Sequence, residues 1–330
     1  MTQPVISEEV RALARADFSE TARRFGAAGF TATEPARGIL TLRRPGVPDA
    51  RRPAVLVSVG VHGDETGPIE MVACILAALA REPEALAVDL MLCVGNIEAI
   101  DQGKRFIDAD LNRMFRPERG SLAGTAEAAR ADVMIEATTQ FFAKAGPERW
   151  HLDLHTAIRP SFYPTFAIVP DLIADEPKQK LIHWMGEAAI GAIIMNPASA
   201  GTYSYYSAEH HGAAGTTVEL GRIGVLGQND LSQFADAQAA LDRLLRGAAP
   251  APARVAPQVF KVAQNIIKLS DNFRMTFDKS TQNFTAAPKG TVIATDGDTT
   301  YTVTQDEEFI VFPNPDVRIG LRAGMMVTKA

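Results

Sequence analysis

Cysteine is scarce, with only Cys74 and Cys93 in 330 residues. One falls in a predicted helix and the other in a predicted strand, which reads as two buried, reduced thiols of a cytoplasmic protein rather than a disulfide framework. Basic excess is missing as well: a formal net charge of -6 offers no basic face to nucleic acid, so an anionic substrate has to be drawn in by local arginines. No apolar run approaches the length that spans a bilayer. Residues 1–25 carry Glu8, Glu9, Arg11, Arg15, Asp17, Glu20, Arg23 and Arg24 where a signal peptide has an apolar core, so neither export nor a membrane partner is expected. There is no internal repeat. What remains is an ordinary globular composition, 46% hydrophobic and 22% charged, long enough for one large domain and a smaller one.

The most informative stretch is the apolar run Ala54 to Val61, closed by Gly60 and followed by His62-Gly63-Asp64-Glu65. Mostly β-branched and small residues predict a strand buried on both faces. His62 and Glu65 stand three residues apart, where a tight turn or a first helical turn aims imidazole and carboxylate at one point. That pair suits zinc, and a catalytic zinc site needs one further protein ligand and an open position for water. Taken alone, the pattern equally fits a loop histidine and a helix N-terminal acid favoured by the dipole.

The rest of the chain alternates helix and strand. An amphipathic helix is expected over 7–25 with Val10, Leu13, Ala14, Phe18 and Ala22 on one side, then a strand at 38–42 and a charged connection over 43–52. A helix over 68–79 and a strand over 86–94 follow, as in a parallel or mixed α/β sheet. The next loop carries Arg105, Asp108, Asp110, Asn112 and Arg113 at the carboxyl end of a strand, where such sheets bind ligands. Its arginines are forked donors for carboxylates or a developing oxyanion; a solvated loop with local ion pairs is the alternative.

After an alanine-rich helix over 123–145, the stretch Trp150 to Thr156 alternates as a strand does. His151 and His155 are separated by roughly 13 Å of strand and do not converge on one metal. His155 lies at the same carboxyl edge as His62 and is chosen as third ligand, with Asp153 behind it and His151 structural. Arg159 follows close by. A strand at 166–169 precedes a helix over 179–189, whose His183 reads as surface. The hydroxyl-rich stretch 201–212 reads as a substrate-facing or solvated loop, with His210 and His211 weak ligand candidates. Glu219 sits in a short β-branched strand, where burial beside a metal-bound water would make it a general base; an exposed edge strand is the other reading. A helix over 234–245 precedes the proline-alanine linker. The expected fold class is therefore α/β, a mixed, largely parallel sheet flanked by helices over 1–247, a linker over 248–257 and a small β domain over 258–330.

His62-Gly63-Asp64-Glu65, Gly95-Asn96, Arg105, Asp110-Leu111-Asn112-Arg113, Asp153-Leu154-His155-Thr156 and Thr217-Val218-Glu219-Leu220 occur in one order, and this set resembles the succinylglutamate desuccinylase and aspartoacylase family from about residue 36 to 328. His155 to Arg159, Phe312-Pro313-Asn314-Pro315 and Gly320-Leu321-Arg322-Ala323-Gly324 are more similar to the desuccinylase branch; Asp64 and Gly67 depart from the Asn and Ala of many of its members. The resemblance implies a zinc-carboxypeptidase-like fold, one zinc per chain on His62, Glu65 and His155, and Glu219 as general base. It implies that Arg105 polarises the scissile carbonyl and that Asn112 and Arg113 hold a substrate carboxylate. Arg159 is inferred to be a second clamp. The implied activity is hydrolysis of N2-succinyl-L-glutamate, a small anionic substrate. An aspartoacylase-like hydrolase, a zinc carboxypeptidase and a non-catalytic zinc-binding protein are the alternatives, and oligomeric state is left open, a homo-oligomer included.

Overall fold

The structure is a computed structural model that describes residues 6–44, 46, 52–278 and 280–330. Part of the charged connection over 43–52 lies outside them. The N-terminal segment forms two helices, α1 (Glu8–Ala14) and α2 (Ser19–Ala27), rather than one. The break falls at Ala16, whose φ of 57° no helix continues through. Val10, Leu13, Ala14 and Phe18 are buried as expected, because both helices lie on the same core.

The hairpin β1 (Thr31–Ala36) and β2 (Ile39–Arg43) leads to β3 (Ala54–Val59), α3 (Gly67–Arg81), β4 (Asp89–Val94) and the short α4 (Ile97–Asp101). Then come α5 (Ala126–Ala143), β5 (Arg149–Ala157), β6 (Phe166–Pro170), α6 (Asp175–Glu187), β7 (Ala192–Asn196), α7 (Tyr203–His211), β8 (Ala214–Arg222) and α8 (Ala235–Leu245). All of β3 is buried because its alternate side chains enter two cores: Val55, Val57 and Val59 face α1, α3 and α8, whereas Ala54 and Leu56 face α5. Cys93 is buried, but Cys74, expected to be, is exposed on α3.

The C-terminal segment comprises β9 (Gln258–Ile267), β10 (Arg274–Met275), β11 (Thr285–Pro288), β12 (Val292–Asp296), β13 (Thr299–Thr302), β14 (Glu307–Val311) and β15 (Arg322–Lys329). Among the described residues one twelve-stranded sheet runs β1-β2-β4-β3-β5-β8-β6-β7-β9-β15-β14-β11, and β10, β12 and β13 form a second. Strands β4, β3, β5 and β8 are mutually parallel. β9 pairs parallel with β7, so hydrogen bonding passes unbroken from the helix-flanked part of the sheet into the C-terminal strands. Between them, the stretch over 248–257 packs on α6, where Ala251 N–H donates to Glu187 (3.0 Å) and Arg254 N–H to the Gly186 carbonyl (2.9 Å). No helix of the described residues is long and apolar enough to cross a membrane.

Candidate active site

Parallel strands end together, and here β3, β5 and β8 deliver the site to one edge. The chain leaves β3 through Gly60 at φ 62° and turns at Gly63, where a Cβ would lie 2.3 Å from the α4 backbone. Only glycine lets the turn come that close. The turn aims His62 and Glu65 at His155, and all three are buried. His62 Nδ1 lies 2.8 Å from Glu65 Oε1, and His155 Nδ1 lies 2.9 Å from Glu65 Oε2 and 3.2 Å from His62 Nδ1. The Thr156 amide donates to Glu65 Oε2 at 3.0 Å and fixes the carboxylate.

The far nitrogens are held by acids: His62 Nε2 lies 2.9 Å from Asp110 Oδ1 and His155 Nε2 2.9 Å from Asp153 Oδ2. Ser58 Oγ donates in turn to Asp153 Oδ1 at 2.6 Å. With Nε2 of each ring held by an acid, Nδ1 is the nitrogen that would exchange its proton for a cation bound between the two rings and Glu65. Tetrahedral zinc with nitrogen ligands at about 2.0–2.1 Å puts those nitrogens roughly 3.3 Å apart. The three residues offer ligand atoms all within 4.8 Å of one another, so the donor set fits zinc in type, number and spacing. Burial opposes charge on both histidines, yet Asp153 and Glu65 hold His155 well above its ordinary pKa, and Glu65 and Asp110 raise His62. Glu65 is held well below the usual carboxylate range against its own burial, because both histidines attract its charge.

Glu219 lies directly across from His155 in the β5/β8 register, in the interior of the sheet rather than at an edge. It is buried, and its Oε2 has no hydrogen-bond partner. Burial, then the nearby Glu65 carboxylate, pushes its pKa up to about 7. It lines a cavity of about 380 Å³ together with His62, His155, Arg105, Arg113 and Arg159.

The loop after α4 is not merely solvated. The buried carboxylate of Glu127, in the first turn of α5, accepts backbone N–H groups of Ile107 (2.7 Å) and Ala109 (3.1 Å) and the Asn96 side chain (3.0 Å). Thus anchored, Arg105 donates to Glu65 Oε1 at 2.7 Å and lies 3.1 Å from His62 Nε2. Asp110 caps the short turn Leu111–Arg113 by accepting the Asn112 amide at 2.9 Å. Asn112 is buried; its Nδ2 lies 3.4 Å from His155 Nε2 and 3.5 Å from Asp153 Oδ2, and its Oδ1 accepts the Tyr203 amide at 2.8 Å. The Arg113 guanidinium donates to the Asn112 carbonyl at 2.6 Å and stands 4.0 Å from Asp110.

The hydroxyl-rich stretch expected to be a loop is α7, largely buried behind the site. Its hydroxyls serve packing: Ser207 lies 2.7 Å from His151, Ser204 2.8 Å from Thr217, and Tyr203 2.6 Å from Thr138. His151 is completed by Ser58 at 2.9 Å, a structural role, while His210 and His211 end α7 away from the cavity. His183 is exposed on α6. Sequence reasoning missed Asp110 as the partner of His62, although it stands in the Asp-Leu-Asn-Arg run. It also missed that Asn314, Arg318 and Arg322, from the C-terminal segment, line the cavity.

Fold and site together define a class, the carboxypeptidase-like mixed-sheet hydrolases with a buried His, Glu, His cluster at the carboxyl edge. Residues 51–245 match the model of the succinylglutamate desuccinylase/aspartoacylase catalytic domain, and residues 255–330 that of the AstE/AspA barrel-sandwich hybrid domain. The chain belongs to the succinylglutamate desuccinylase/aspartoacylase family. It is 43% identical over 281 residues to a succinylglutamate desuccinylase of Burkholderia lata, covering 84% of this chain and 80% of that one. Among solved structures it is similar to the succinylglutamate desuccinylases of Vibrio parahaemolyticus (TM-score 0.83, 32% identity, 91% of this chain and 88% of that one) and Vibrio cholerae (0.82, 34%, 92% and 88%).

Proposed function

We propose that this chain hydrolyses N2-succinyl-L-glutamate to succinate and L-glutamate in the cytoplasm, within arginine breakdown, using one zinc held by His62, Glu65 and His155. The observation that carries the reading is the orphaned carboxylate of Glu219 beside that cluster, at the wall of an arginine-lined cavity. Zinc bound there supplies Lewis-acid polarisation of the amide carbonyl and acidifies a water. Glu219, with its pKa near 7, takes a proton from the attacking water as the water oxygen bonds to the acyl carbon. The C–N bond then breaks, and Glu219 returns the proton to the leaving nitrogen. Arg105 donates to the oxyanion that develops on the acyl oxygen. Asn112 and Arg113 hold one substrate carboxylate and Arg159 another, so a substrate with three carboxylates is oriented before it reacts. In this reading residues 1–247 form the hydrolase unit and 258–330 a small β domain joined by the linker 248–257.

A panel of N-succinylglutamate, N-acetylglutamate, N-acetylaspartate and a peptide, assayed with metal analysis, tests the assignment. The expected outcome is about one zinc per chain and a clear preference for N-succinylglutamate, since N-acetylglutamate leaves a cation in the cavity unpaired. Preference for N-acetylaspartate or for the peptide would replace the reading by an aspartoacylase-like or a carboxypeptidase activity. Zinc without turnover of any of them would make the protein a non-catalytic zinc binder.

A further inference from the structure

Arg322 opens β15, and the ladder with β9 is irregular there: Arg322 pairs with Ile267, but Gly324 already pairs with Ile266. An extra residue of this kind bends a strand and re-aims the side chains beside it. Arg322 is partly buried and lines the same cavity as Arg113 and Glu219. Among the described residues it forms no ion pair, and its one side-chain hydrogen bond is a long 3.5 Å contact to Asn265 Oδ1. The neighbouring cations are better satisfied: Arg105 is paired with Glu65 at 2.7 Å, and Arg318 donates to the Asp108 carbonyl at 3.0 Å. Burial first, and then the like charge of Arg113, depresses the Arg322 pKa to about 9, while Asp110, the acid that eases it, is committed to His62. Two guanidinium groups facing one cavity with so little anionic compensation are costly unless a ligand supplies the charge.

We propose that Arg322, delivered by the C-terminal β segment, joins Arg113 in gripping a single carboxylate of the substrate, so that specificity is set partly from outside the catalytic segment. The inference rests on the desuccinylase reading above. A carboxylate offers two oxygens and about four lone-pair sites, enough for forked donors from two sides. Within a family whose catalytic segment carries the reacting groups, this gives the β segment a direct task in choosing the substrate.

The test compares N-succinylglutamate with three analogues that each lack one carboxylate: N-butyrylglutamate, N-succinylnorvaline and N-succinyl-γ-aminobutyrate. Arg322→Met is expected to raise KM for N-succinylglutamate roughly tenfold or more with little change in kcat. That rise should vanish on one analogue, and the rise caused by Arg113→Ala should vanish on the same one. Arg322→Lys keeps the charge and most of the stem but not the fork, and should show a smaller rise silenced by the same analogue; it serves as the test if Arg322→Met does not fold. An unchanged KM in both variants, a rise of equal size on all three analogues, or different silencing analogues for Arg322 and Arg113 would overturn the inference. Absence of turnover of N-succinylglutamate by the parent chain would overturn the functional reading and this inference together, whereas parent turnover with silent Arg322 variants overturns this inference alone.

Discussion

The orientation of each cluster imidazole is set by an acid on its far side, Asp110 for His62 and Asp153 for His155. His151, two positions before Asp153, shows the opposite treatment. It is fully buried between two serine hydroxyls, and burial pushes its pKa down to about 4. The fold accepts only the neutral ring, so below the unfolded value of 6.5 the unfolded chain binds a proton that the folded chain refuses. Stability from this residue is therefore complete above pH 6.5 and declines as pH falls toward 4, by on the order of 3 kcal/mol. Denaturant melts of the parent chain and of His151→Gln between those pH values should show a shallower pH dependence in the variant; parallel slopes would contradict the assignment. At this scale the convergence of His62, Glu65 and His155 was legible because their types and their places at strand ends are local facts. Asp153 was legible as the acid behind His155, since both occupy one face of one strand. Asp110 was not, because an acid beside two arginines reads as their counter-ion, and its real target lies 48 residues earlier in the chain. Gly67 is required for a reason visible only in three dimensions: a Cβ there would sit 2.6 Å from the Phe234 ring.

Elements carrying a strong apolar period were legible: β3, α3, β4, α5, β5 and β8 all form where the pattern places them. Those that depart from it were not. β1 is an exposed edge strand containing Pro35, with no buried face to betray it. α7 reads as a loop because its inward positions are hydroxyls, which pair with partners on other elements instead of forming an apolar stripe. The loop between α4 and α5 looks solvated by charge alone, yet Glu127 gathers its backbone into a fixed shape. That anchoring makes its two arginines separable. Arg105 reaches Glu65 in the cluster and, in the proposed reaction, meets charge that grows in the transition state, so Arg105→Ala should lower kcat by about 10²–10³ with a modest change in KM. Arg113 lines the cavity and, in the proposed reaction, meets a carboxylate charged from the start, so Arg113→Ala should mainly raise KM, by roughly tenfold or more. Steady-state kinetics of both variants on N-succinylglutamate would show the two signatures; unchanged constants in both would return the loop to a surface role.

Across the whole molecule, one sheet does two jobs. Its parallel strands bring His62, Glu65, His155 and the orphaned acid Glu219 to one edge, and its antiparallel continuation brings Arg318 and Arg322 to the same cavity. The change to β-rich sequence in the C-terminal segment was legible from composition, but the pairing of β9 with β7 was not, since it joins strands separated by α7, β8 and α8 and no local signal encodes it. The C-terminal segment is tied down again where Asn283 accepts the amides of Phe162 (3.1 Å) and Phe312 (2.8 Å), next to the Arg159 loop. The central claim is that this assembly positions Glu219 as the proton acceptor of a hydrolytic reaction. Its most direct test is kcat on N-succinylglutamate for Glu219→Gln, with zinc content and fold measured on the same preparation. The account predicts full zinc, an unchanged melting temperature within a few degrees, KM within a few-fold and kcat lower by roughly 10² or more. A folded, zinc-loaded variant turning over at close to the parent rate would contradict it.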